Sequence, residues 1–61
     1  MANLTSRELT AIEEQLGQEE VLIKKYNMYS AMATDMAIKN KCSEIAQKHQ
    51  YHYNTLLSQL N

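Results

Sequence analysis

The sequence contains no proline and one glycine, Gly17, so it carries almost none of the chemistry from which tight turns are built. It has one cysteine, Cys42, which makes an intrachain disulfide impossible. No apolar run approaches the ~20 residues needed to cross a bilayer. Neither sign of charge is in excess: Lys and Arg number 6 and Asp and Glu 7. Six cations scattered along the chain do not make the basic face that nucleic acid requires. There is no Gly-rich phosphate loop and no Ser/His/Asp arrangement. The start, Met1-Ala2-Asn3-Leu4, is neither a charged nor an apolar leader, so no signal peptide is expected and the chain reads as cytoplasmic when synthesised.

What remains is rich in Ala, Leu, Glu, Gln, Lys and Met, the good helix formers, and the expected fold class is all-α. Sixty-one residues make at most one small domain, 1–61. A chain of this size gains little from its own core and is usually helped by disulfides, a metal or a partner chain. With the disulfide excluded, a partner, a metal, or both are expected.

Thr5 and Glu8 form a capping-box pattern that starts a helix. From there Leu9, Ile12, Leu16, Glu19, Ile23, Tyr26, Ser30 and Ala33 lie on one stripe, widened by Leu22 and Tyr29. Continuing that phase would put Ala37, Asn40, Glu44, Gln47, Tyr51 and Asn54 in the seam, which is mostly polar. The next apolar stripe instead holds Ile38, Cys42, Ile45, His49, His52 and Leu56, displaced by one residue or about 100° of rotation. A break at Thr34-Asp35, either of which can cap a helix, accounts for the shift. The spacing predicts helices over about 5–33 and about 36–60, each supported by an ion pair at a spacing of four, Glu20 with Lys24 and Glu44 with Lys48. A continuous helix in a domain-swapped dimer is the competing arrangement. A lone hairpin leaves its wide stripes half exposed, so the expected assembly is an antiparallel hairpin that dimerises into a four-helix bundle.

Folded at residues 34–35, the hairpin sets Glu19 level with His49, and Leu16 with His52. One carboxylate then meets two imidazoles, spaced i, i+3 so that both rings share a helix face. Glu19, His49 and His52 are therefore the candidate metal ligands, and the ion such a cluster would take is zinc or iron. The competing reading makes them a buried hydrogen-bonded network that sets register and dimer orientation, with no cofactor. No Glu-x-x-His pair of the di-iron type occurs. Cys42 reads as a small buried hydrophobe, Tyr26 as a core residue, and Tyr51 and Tyr53 as flanking packing groups. The adjacent pairs Glu13-Glu14 and Glu19-Glu20 point about 100° apart, so neither makes a catalytic dyad. No catalytic residues are expected, and the chain does not read as an enzyme.

Four segments together resemble the spore coat protein F-like family: Leu9-x-x-Ile12-Glu13-x-x-Leu16-x-x-Glu19, Lys24-Lys25-Tyr26, Ala33-Thr34-Asp35, and Lys48-His49-Gln50-x-His52-Tyr53-Asn54-x-Leu56-Leu57. Its members are small helical proteins of spore-forming Firmicutes with a ferritin-like bundle architecture. The resemblance spans nearly the whole chain and corresponds to about one hairpin of a longer family domain. Where the family tends to carry Asp-Pro at the turn, this chain has Asp35-Met36. The resemblance implies a structural component of the spore coat, made in the mother-cell cytoplasm and assembled onto the forespore. Its implied partners are itself and other spore coat proteins, with neither nucleic acid nor membrane among them.

Overall fold

The computed structural model describes residues 3–60; Met1, Ala2 and Asn61 lie outside it, and with them the first two residues of the segment weighed as a signal peptide. The described residues form two helices, α1 Ser6–Met32 and α2 Met36–Ser58, and no strand. They fold back on each other as an antiparallel hairpin with extents of 46 × 15 × 11 Å. At 1.5 Å per residue the longer arm is about 40 Å, so the molecule is little more than two rods side by side. Neither helix is long and apolar enough to cross a membrane.

Both starts are capped as their residues dictate. The Thr5 hydroxyl accepts from the Glu8 N–H at 3.1 Å, and the Glu8 carboxylate accepts from the Thr5 N–H at 2.9 Å, a complete capping box. The second cap is Asp35, whose carboxylate accepts from the Ile38 N–H at 2.9 Å. The expected spans of 5–33 and 36–60 overrun these helices slightly. Thr5 and Ala33 are caps with extended backbone, and Gln59 and Leu60 close α2 as a turn, their N–H groups donating to the carbonyls of Leu56 and Leu57.

The link between the helices is held by two reciprocal hydrogen bonds. The Ser30 hydroxyl donates to the Lys39 carbonyl at 3.0 Å, and the Lys39 ammonium donates to the Ser30 carbonyl at 2.7 Å. Ser30 lies in the last turns of α1, where carbonyls have no partner within the helix, so the lysine satisfies one of them.

Along α1 the seam holds Ile12, Leu16, Glu19, Ile23, Tyr26 and Ser30, as the stripe predicts. Along α2 the inward face is Lys39, Cys42, Ala46, His49, Tyr53, Leu56 and Leu60, in unbroken steps of three and four. This is rotated from the expected stripe. Ile38 is 57% exposed, His52 is exposed and Ile45 is half-buried, whereas Ala46, at 3%, is the one buried hydrophobic residue among those described. Two features go with this. The small Ala46 is the buried side chain of this face, and Lys39 turns inward, its ammonium donating to the Ser30 carbonyl. The expected Glu44–Lys48 pair also gives way: Glu44 sits 3.8 Å from Lys41, while Glu20–Lys24 forms at 3.7 Å. Both pairs are strongly exposed and contribute little to stability.

The two flanks of the seam differ. On one side lie Gln15, Leu22 and Tyr29 of α1 beside His52, Ile45 and Ile38 of α2, each one residue before a seam position. Gln15 and His52 approach the same oxygen of Glu19, which fixes these two rows on the same side. On the other side Asn27 of α1 adjoins Ser43, Gln47 and Gln50 of α2 around a small depression. One face is apolar toward the turn and the other is polar.

Candidate functional site

Glu19 is 5% exposed and is the only buried polar residue among those described. It sits near the middle of α1, in a seam position that apolar residues occupy on either side. Closing the hairpin at Ala33–Asp35 brings His49 level with it, and His49 Nδ1 lies 2.7 Å from Glu19 Oε2. With Nδ1 protonated, that imidazole donates a short hydrogen bond to the carboxylate. His52, one turn further along α2, brings its Nδ1 to 3.5 Å from Glu19 Oε1. Gln15, one turn before Glu19, donates from Nε2 to the same oxygen at 3.4 Å. Each carboxylate oxygen thus faces one imidazole, and no buried side-chain polar atom among the described residues lacks a partner.

Aromatic rings set the imidazoles in place. Tyr26 stacks on His49 with centroids 6.3 Å apart and planes at 17°. The two imidazoles meet edge to face at 5.5 Å, and Tyr51 meets His52 edge to face at 6.4 Å. Tyr26 reaches His49 because helical side chains lean toward the N-terminus, so its ring covers the turn of α1 nearer Glu19.

Two opposed influences act on the Glu19 carboxyl. Burial raises its pKa; the hydrogen bond from His49, the charge of His49 and His52, and the Gln15 amide lower it. The lowering wins, and the group lies below its ordinary value of 4.5. It is a carboxylate that its neighbours keep ionised in a water-poor place.

All three sequence-predicted ligands come together. Glu19, His49 and His52 each offer a donor atom within 4.8 Å of the others, and no further group of three metal-ligating side chains occurs among the described residues. Exposure increases from Glu19 through His49 to His52, whose side chain is 49% exposed, so the cluster opens outward at His52. Cys42 is a half-buried free thiol two helical turns from His49 and takes no part. Gln15, Tyr26 and Tyr51 were not singled out for this site from the sequence. The four-residue step from Gln15 to Glu19 is the signal that could have found the first.

Compared with known proteins, the chain matches no family model, no curated protein and no solved structure.

Proposed function

We propose that this chain is a structural, self-associating protein of the spore coat kind, in which two hairpins pack into an antiparallel four-helix bundle. The observation that carries this reading is the one-sided apolar flank. Tyr29 with Ile38 and Leu22 with Ile45 line the face beside the seam, and among the described residues a single hydrophobic one, Ala46, is buried. A second copy laid on that flank gives each helix a second neighbour and covers these side chains.

Surface area supports the same reading. The chain exposes 4761 Å², whereas a compact monomer of its mass exposes about 4,100 Å². A stable dimer buries about 600–1,000 Å² per partner, and a whole long side of a 46 × 15 × 11 Å rod is of that order. Coat assembly rests on the four segments that resemble the spore coat protein F-like family, with synthesis in the mother-cell cytoplasm and other coat proteins as further partners. Within such a bundle Glu19 and its imidazoles fix register, and the protein has no catalytic task.

Light scattering of the purified chain at micromolar concentration tests self-association. A dimer is expected; a stable, folded monomer overturns the reading.

A further inference from the structure

The groups that fix register are also the described chain's one convergence of metal-ligating side chains. We propose that Glu19, His49 and His52 bind one zinc-type transition-metal dication within a single hairpin, and that the ion staples α1 to α2.

The donor set fits this class of ion. Two imidazole nitrogens and one carboxylate oxygen suit zinc, whereas calcium and magnesium need more oxygens than one carboxylate provides. Position follows from the helices. His49 and His52, three apart on α2, offer two donors from one face, and Glu19 offers the third from across the seam. A tetrahedral ion with bonds of ~2.0–2.1 Å holds its donors about 3.3 Å apart. His52 Nδ1 lies 3.5 Å from the other carboxylate oxygen, Oε1, and one donor atom from each of the three residues lies within 4.8 Å of the other two, so His52 has at most about 1.5 Å to move toward the oxygen that His49 faces. The His49–Glu19 pair at 2.7 Å must open by roughly half an ångström, because the ion takes the place of the proton between them. That proton leaves Nδ1 for solvent while the ring's other proton stays on Nε2, so the imidazole binds as a neutral ligand.

The surroundings are those a metal site uses. Gln15 donates to Glu19 Oε1, and Tyr26 stacks on His49, so two ligands are held by neighbours that do not themselves bind. The half-exposed His52 provides the entry path and is the ligand free to swing inward. Three protein donors leave the fourth position, on the solvent side, to water. Because the ligands come from both helices, the ion binds only the closed hairpin and stabilises it by mass action. This holds within one chain and does not depend on self-association.

The test is calorimetric titration of the chelator-stripped full chain with zinc chloride, with thermal melting of the same samples. One zinc per chain and a melting temperature that rises with zinc are expected. His52→Ala should lose more than the ~100-fold in affinity that marks the upper end for a supporting residue, and Gln15→Ala roughly tenfold. Cys42→Ser should bind as the parent does. Circular dichroism confirms that each variant is helical, and His52→Gln replaces His52→Ala if the latter is not. Absence of zinc uptake, parental affinity in a helical His52 variant, or one zinc per two chains each overturns the proposal. Light scattering reports self-association separately, so either reading can fail while the other stands.

Discussion

Glu19 favours the alignment of the two helices that the short turn at Ala33–Asp35 allows. Slide α2 by one heptad and the carboxylate faces Cys42 or Leu56 in place of His49, buried with only the long Gln15 contact from its own helix. Leaving a buried charge unpaired costs several kcal/mol, while the apolar contacts of the seam would change little. A polar residue inside an otherwise greasy stripe thus supplies the discrimination that leucine and isoleucine cannot. Glu8 shows the same chemistry at the surface. The Thr5 N–H, and then the Thr5 side chain, hold its carboxyl below the ordinary 4.5. A carboxyl lowered by folding contributes stability that is fully present above 4.5 and lost as pH falls through the lower folded value. The Thr5 amide proton resonance, followed by NMR in acid titration, should therefore move with a midpoint below 4.5. In Glu8→Gln, whose amide oxygen accepts the same hydrogen bond without titrating, that movement should vanish.

At the scale of the helix, the chain turns without glycine or proline. Ala33 and Asp35 are both extended, with ψ of 137° and 127°, and no described residue has positive φ. The glycine that is present stands where no turn needs it. Gly17 lies within α1, and a Cβ added there would meet nothing within 4 Å. Gly17→Ala should accordingly stabilise the hairpin by about 1 kcal/mol, read as a higher urea midpoint with an unchanged slope. The elements themselves were legible in the sequence because caps and phase act locally. Thr5 with Glu8 announced α1, and the phase slip after Ala33 announced the break, although only the structure chose Asp35 over Thr34. The inward face of α2 was not legible in full. Hydrophobicity favoured Ile38 and Ile45, but a helix with one neighbour covers only a narrow stripe, and that stripe centres on Ala46. Lys39 turned inward for a carbonyl that no spacing rule reveals. The candidate site was legible because Glu19 and His49 stand at equal distance from the turn; Gln15, four residues before Glu19, was not singled out.

For the whole molecule, sidedness is what matters. One flank carries Leu22, Tyr29, Ile38 and Ile45, and the opposite flank carries Asn27, Ser43, Gln47 and Gln50. A charge placed on the first should separate the copies, and the same charge on the second should not. Ile38→Lys is expected to reduce the mass in light scattering to that of one chain, while Gln50→Lys remains a dimer. Equal behaviour of the two variants would mean that the apolar flank is not where the copies meet. The pairings across the seam also carry an order in time. Ser30 and Lys39 are 9 residues apart, whereas Glu19 and His49 are 30 apart. Closing the longer loop directly from the open chain costs about 1 kcal/mol more in entropy, so the lysine clasp nucleates and the arms zip outward from it. Topology this local places folding in the microsecond-to-millisecond range, and the carboxylate meets its histidine only once the turn has already committed the chain.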